Sequence, residues 1–195
     1  MARDLQPPAD AARIPAESDG ELVSRTLAGD RGAFGVLVER YVSSVRRVAR
    51  AVLGDADDAD DAAQDALLAA LVKLRQYDPR RPFGPWLMRV VANAATDRRR
   101  RRRVRRTEPL NGTLVARGAA PDAETQRRAL GQRLRDALAQ LPERRRLAVV
   151  LFDVEGYSHA EIGRVLGIPE GTVRSEVFHA RRALRALLAD WRDDG

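Results

Sequence analysis

The segment GYSHAEIGRVLGIPEGTVRS, from Gly156 to Ser175, limits what this chain can fold into more than any other stretch. Ser158 and Glu161 have the S-x-x-E spacing of a capping box, in which each side chain satisfies a backbone N–H of the other, so a helix starts near His159. Ile162, Val165 and Leu166 give that helix an apolar face, and Gly167 supplies its stop. Pro169 suits the first turn of a second helix, where its missing N–H would be unpaired in any case. The second helix carries Val173, Val177, Ala180 and Leu184 along one side, with Arg174, Ser175, Phe178, His179, Arg181 and Arg182 elsewhere. A helix, a tight turn and a basic helix are how many proteins present one helix to a DNA major groove. Two ordinary core helices would account for the apolar side and leave the basic side without a purpose.

Upstream, the pattern is helical throughout. Ser18-Asp19-Gly20-Glu21 offers another capping box, opening a short helix with Leu22, Val23 and Leu27. A longer helix is predicted from Asp30, with Phe34, Leu37, Val38, Tyr41, Val45, Val48 and Val52 at helical spacing until Gly54. A third helix after the Asp-rich turn is expected to bury Ala63, Leu67, Leu71 and Leu74. The loop from Arg75 to Pro82 breaks the pattern. Phe83, Trp86, Leu87, Val90, Val91 and Ala94 then mark a fourth helix that runs into the arginines beyond it. Nothing alternates at period two, so no sheet is expected.

Residues 107–121 are rich in Gly, Thr and Ala, have Pro near both ends and lack apolar periodicity. They read as a flexible linker reaching roughly 50 Å at ~3.3–3.6 Å per residue. Beyond it come a helix with Leu130, Leu134 and Leu138, another after Pro142 with Leu147, Val150 and Leu151, and then the helix-turn-helix. The expected architecture is all-α: a disordered tail over 1–18, a four-helix domain over 19–106, the linker, a helix-turn-helix domain over 122–189, and a short tail over 190–195.

Charge is the other informative property. The 195 residues carry 35 Lys+Arg against 28 Asp+Glu, a formal +7, and Lys73 is the single lysine. A GC-rich genome explains the preference for arginine, but not where the arginines cluster. Eight of the nine residues from Arg98 to Arg106 are arginine. Neutralising phosphates with such a run releases counterions and makes binding strongly salt-dependent. Tyr77, Phe83 and Trp86 lie among basic residues, a combination that suits bases stacking on aromatic faces. Phe83 and Trp86 fit the apolar face of the fourth helix, which leaves Tyr77, in the loop, as the better stacking candidate. Asn93 is a polar residue on that same helix, able to bond an unstacked base edge.

Other chemistry is absent. Without cysteine there is neither a disulfide nor a thiolate metal site. The Asp55–Asp65 segment departs from the calcium-loop pattern, with Ala59 at a ligand position and Ala66 at the closing one. Asp at a helix start meets the helix dipole favourably and also offers a docking face for a basic partner. His159 and His179 show no triad or metal spacing, and no phosphate-cradling glycine loop occurs. We therefore expect no catalytic residues, no metal and no cofactor. No apolar run approaches a membrane span of ~20 residues, and the N-terminus lacks a signal-peptide core, so membrane insertion is not expected and the cytoplasm is the expected location.

In order, three segments resemble the extracytoplasmic-function sigma factors of the bacterial sigma-70 family. Asp58-Ala59-Asp60-Asp61-Ala62-Ala63-Gln64-Asp65 resembles the family's D-A-E-D-x-x-Q-[ED] core-binding segment. Phe83-Gly84-Pro85-Trp86-Leu87, with Arg89, Asn93 and the arginines, resembles its promoter-opening segment. Gly156 to Leu184 resembles its G-[YF]-S-x-x-E-I-[AG]-x-x-[LM]-G-x-P-x-G-T-V-[KR]-S pattern. The resemblance implies a subunit that binds core RNA polymerase, reads minus-thirty-five and minus-ten promoter elements and helps melt the DNA. Asp58, Asp61, Gln64 and Asp65 would face the clamp helices of the large catalytic subunit. Tyr77, Arg80, Arg81, Trp86, Arg89 and Asn93 would engage the minus-ten strand, with Arg98 and Arg99 on its phosphates. Thr172, Arg174, Ser175, Phe178, His179, Arg181 and Arg182 would contact the minus-thirty-five duplex. A dedicated anti-sigma factor is also implied.

The chain departs from that pattern at Glu176, where the family often has a basic residue, and at His179, where it often has Arg. Glu can accept a bond from cytosine N4, so the upstream preference is expected to differ from that of relatives. The runner-up is a free-standing helix-turn-helix regulator. Such proteins usually dimerise on palindromic sites, and no dimerisation segment or ligand domain is evident here. A scaffold for anionic lipid or RNA would rest on the arginine run alone.

Overall fold

The structure, a computed structural model, describes residues 17–54, 56–105 and 123–189. Among these there are eight α-helices and no strand, so the all-α expectation holds for the described residues. The predicted linker and C-terminal tail lie outside them, as does the N-terminal tail up to residue 16; Glu17 and Ser18, placed in that tail by the sequence, instead bond to α1 and α2.

Local chemistry sets most boundaries. Helix α1 (Asp19–Leu27) starts at the predicted capping box, with the Ser18 N–H donating to the Glu21 carboxylate at 2.7 Å. Helix α2 (Arg31–Leu53) starts where the Asp30 carboxylate accepts the Gly32 and Ala33 N–H groups, and ends at Gly54 with φ 79°. Helix α3 (Ala56–Lys73) tightens into a 3-10 turn at Leu74–Gln76. Helix α4 (Phe83–Arg105) continues into the arginine run, as expected from the good helix propensity of arginine.

Of the residues expected on the buried side of α3, Ala63 and Leu74 are buried and Leu67 partly so, but Leu71 is not. Ala59, Ala62, Ala63, Ala66 and Ala70 all face inward, whereas Leu71 is 42% exposed. The run from Ala66 to Val72 is apolar on every side, so periodicity alone does not choose a face. The alanine stripe fits closely against α2 and α4, because small side chains let helix axes approach.

Helix α5 (Ala123–Gln140) also departs from expectation. Leu130 and Leu134 are exposed, while Leu138 packs on the core as expected, beside buried Ala137 and Leu141 just beyond the helix end. Helix α6 (Glu143–Val149) passes into a single π turn, Val150–Val154. Helices α7 (His159–Leu166) and α8 (Glu170–Leu187) complete the fold.

One apolar core runs through both halves, from Leu22, Leu37 and Val48 to Leu151, Ile162 and Val173. Helix α6 packs on α2, and α7 on α4. Arg47 of α2 grips Glu155 at 2.6 and 3.1 Å, and the Glu155 side chain is only 4% exposed, so this carboxylate has little water to solvate it in place of Arg47. Glu143 accepts from Thr96 at 3.1 Å and pairs with Arg99. The Arg146 guanidinium donates to the Val52, Leu138 and Ala139 carbonyls near the C-termini of α2 and α5, sharing the Leu138 carbonyl with the Leu141 N–H. Burial pulls the Arg146 pKa down from its ordinary value.

At the seam Tyr157 lies over Gly84, where a Cβ would sit 2.7 Å from the phenol oxygen and 3.3 Å from Tyr41. Burial pushes the Tyr157 phenol up to about 12, so it stays a neutral O–H at physiological pH.

A shared core predicts a shared unfolding transition. Leu151→Ala empties a fully buried site in the helix-turn-helix half and is expected to cost about 2–5 kcal/mol. In urea, with Trp191 replaced by Phe so that Trp86 in the other half is the only tryptophan, Trp86 fluorescence should move to lower denaturant together with the far-ultraviolet circular dichroism signal. A Trp86 transition that stayed in place would separate the two halves.

Candidate nucleic-acid interface

In the helix-turn-helix, the Glu161 carboxylate accepts from the Ser158 N–H at 2.9 Å, and the Ser158 hydroxyl accepts from the Glu161 N–H at 3.3 Å. Gly167 takes φ 67°, the left-handed conformation that lets the chain reverse. Pro169 occupies the cap position of α8, one residue before the first turn where it was expected. Ile162 and Val165 of α7 share the buried core with Val173 and Val177 of α8, which fixes the second helix on the first.

That packing leaves one face of α8 open to solvent. Arg174, Ser175, Phe178, His179, Arg181 and Arg182 are exposed, and Thr172 is partly buried. Phe178 is 61% exposed, with its ring edge-on to that of His179 at 5.5 Å. Arg174 pairs with Glu170 one turn earlier at 2.9 Å. Arg181 donates to Asp153 at 2.9 Å and stands 5.0 Å above the Phe152 ring, which itself stacks on His159.

Glu176 is not on this face. Its side chain is 12% exposed, and its two oxygens accept from Arg144 Nε at 2.9 Å and Arg145 Nε at 3.0 Å. Each oxygen already holds one guanidinium and little of the side chain is open to solvent, so Glu176 presents little acceptor surface to a cytosine amine. The cytosine contact expected of Glu176 loses its support, while the other departure, His179, stays exposed on the face.

On α4, Trp86, Arg89 and Asn93 follow one another at helical spacing; Arg89 and Asn93 are exposed and Trp86 partly so. Met88, Val91 and Ala95 are buried behind them. Arg80 and Arg81 are exposed in the preceding loop, where the Arg80 N–H donates to Asp78 at 3.0 Å. Tyr77 differs from expectation. It is 9% exposed, its ring stands edge-on to Phe83 at 5.5 Å and beside Trp86 at 5.4 Å, and its hydroxyl donates to the Arg81 carbonyl at 2.5 Å. Its faces are occupied by neighbours, so here it braces the loop and is not a free stacking platform.

The acidic segment and the arginine run meet. Arg98 lies 2.9 Å from Asp61, 3.2 Å from Asp65 and 3.8 Å from Asp58, and Arg102 also pairs with Asp58. Asp61, Gln64 and Asp65 remain exposed. Leu68 and Val72, 64% and 80% exposed, continue the stripe of Asp61 and Asp65 along α3. Sequence reasoning missed them because Leu67 and Leu71 fit the buried period equally well. It also missed Arg144 and Arg145, whose link to Glu176 depends on tertiary packing. Among the described residues no group of His, Cys, Asp and Glu is arranged to hold a metal, and no helix is long and apolar enough to cross a membrane.

Comparison with known proteins places this architecture. Residues 37–105 match the family model for sigma-70 region 2, and residues 131–184 that for sigma-70 region 4. The chain is 39% identical to the ECF RNA polymerase sigma factor SigM of Mycobacterium tuberculosis, over 88% of this chain and 85% of that protein. It is 31% identical to the ECF RNA polymerase sigma factor SigW of Bacillus subtilis, over 86% of this chain and 95% of that protein. A solved structure of CnrH in complex with the cytosolic domain of CnrY superposes with a TM-score of 0.69 at 29% identity, covering 89% of this chain and 99% of CnrH. The fold is shared too with RpoE of Bartonella quintana, solved in complex with the anti-sigma factor NepR, at a TM-score of 0.64 and 24% identity over 80% of this chain and 96% of that one. The chain belongs to the extracytoplasmic-function sigma factors of the sigma-70 family.

Proposed function

We infer that this chain binds core RNA polymerase, brings it to promoters with minus-thirty-five and minus-ten elements, and helps to open the DNA. The observation that carries this is the pairing, in one chain, of an exposed basic helix-turn-helix face on α8 with the partly exposed Trp86 and the exposed Arg89 and Asn93 along α4. The first suits a duplex major groove, and the second an unpaired strand.

Asp58, Asp61, Gln64 and Asp65 dock on the clamp helices of the large catalytic subunit, and Leu68 and Val72 extend that contact with apolar surface. Arg80, Arg81, Trp86, Arg89 and Asn93 hold the minus-ten strand, while Arg98 and Arg99 follow its phosphates. Thr172, Arg174, Ser175, Phe178, His179, Arg181 and Arg182 engage the upstream duplex. The reading units correspond to residues 19–106 and 122–189, joined through 107–121. No hydrolysed nucleotide or cofactor is needed, because binding to the separated strand favours the bubble. The protein works in the cytoplasm. Since CnrH and RpoE were solved in complex with partner proteins, a regulator of the anti-sigma kind is the proposed partner here.

The test is reconstitution with sigma-free core polymerase and genomic DNA, with transcript 5′ ends mapped. Discrete starts that share two upstream motifs at fixed spacing are expected; random starts or none would reject the reading. Arg174→Ala should weaken upstream duplex recognition by about 1–3 kcal/mol if it reads a base edge. Asn93→Ala should leave duplex binding intact and reduce the open fraction reported by permanganate reactivity of unpaired thymines. Leu68→Asp with Val72→Asp should lower affinity for core polymerase and leave the melting temperature nearly unchanged, because both side chains are already in water.

A further inference from the structure

We propose that Arg144 and Arg145 contact DNA phosphates beside the reading helix, and that Glu176 is the positioning residue that aims them. This rests on the reading of α8 as the duplex-reading helix.

The geometry begins with Glu176. One turn along α8 from it lie exposed His179 and buried Ala180, so Glu176 sits on the flank between the reading face and the core. Each of its oxygens holds one guanidinium by its Nε alone. Among the described residues, the terminal nitrogens of Arg144 and Arg145 have no partner, and the side chains are 59% and 39% exposed. Guanidinium donors form a rigid fork that matches phosphate oxygens in pairs. Anchoring Nε removes much of the side-chain freedom that an arginine would otherwise lose on binding. The three groups together carry one net positive charge, so this flank attracts phosphate despite its carboxylate.

The other flank of α8 is built in the same way. Arg181 has Val177 and Phe178 as its neighbours one turn back, and shares neither with Glu176. It is aligned by Asp153 and by the Phe152 ring. A helix in a major groove runs between two sugar-phosphate backbones, and contacts to them fix register without reading sequence. Arg181 therefore serves one backbone and the Arg144–Arg145 pair the other. Arg174, Ser175, Phe178 and Arg182 lie between them, toward the bases. On this account the acidic residue in the reading helix acts through the arginines of α6 and not on DNA.

The experiment uses holoenzyme formed from the full chain and core polymerase. Its affinity is measured against salt on a mapped promoter and on all single-base variants of the upstream element. Arg144→Gln and Arg145→Gln should weaken binding evenly across the panel and each reduce the salt slope by about 1. Arg144→Lys and Arg145→Lys, which keep the charge, should retain the slope and lose part of the affinity. Glu176→Gln is the decisive variant. Although it removes a negative charge, it should weaken binding evenly, and should no longer do so once both arginines are Gln.

Tighter binding by Glu176→Gln, or an altered preference at one base pair, would overturn the proposal by placing the carboxylate against DNA. An unchanged salt slope in both Arg→Gln variants would also overturn it. Melting temperature and core affinity, measured alongside, identify a variant that has merely lost its fold; for any such variant the Lys substitutions decide. Wild-type holoenzyme without any upstream sequence preference would refute the reading of α8 itself, and this is seen before any variant is made.

Discussion

The rest of the structure depends on the burial of α2. Val45, Val48, Ala49 and Val52 are closed off from solvent, with α1, α3 and α4 around the helix on one part of its circumference and α6 on another. A helix buried on several sides acts as a shared wall, and the elements packed on it are positioned relative to one another by the same side chains. Through that wall the Trp86–Arg89–Asn93 stripe of α4 and the exposed face of α8 become parts of one packed body. Arg146 adds to this by bonding the carbonyl ends of two helices from different halves at once.

Features determined by neighbours in the chain were legible in the sequence. The capping boxes at Ser18 and Ser158, the stops at Gly54 and Gly167 and the apolar face of α8 all depend on residues within one or two turns of each other. Features determined by distant partners were not. Leu71 and the alanines of α3 compete for the same apolar periodicity, and only the closeness of α2 and α4 favours the smaller residues. Tyr77 looks free in a loop until Phe83 and Trp86 fold over its ring. Glu176 looks like a base reader until α6 brings two guanidinium groups to it. The π turn after α6 has no signal in the local pattern at all.

Charge follows one theme across the molecule. With 35 basic and 28 acidic residues in the chain, many of its arginines have a carboxylate close by. Arg98 lies among three aspartates, Arg99 meets Glu143, and Arg181 meets Asp153. Exposed pairs of this kind add little stability, commonly about 0–1 kcal/mol each. Their larger effect is on direction, because a paired guanidinium samples fewer rotamers than a free one. A basic protein can thereby present ordered donors instead of a diffuse cloud of charge.

The contact of Tyr157 with Gly84 bears on how such chains can diverge. Tyr157 belongs to the motif that opens α7, and Gly84 to the motif that opens α4, so each lies in a segment with its own separate work. Yet a side chain at position 84 would enter the space of the phenol oxygen. The two positions are steric partners, and substitution at one is constrained by the residue at the other. Exchanging one half of this chain for the matching half of a relative would join two segments with different histories at this point. A relative with a side chain at position 84 would need the ring opposite it to shift or to lack its hydroxyl, so the two halves are coupled where their surfaces touch.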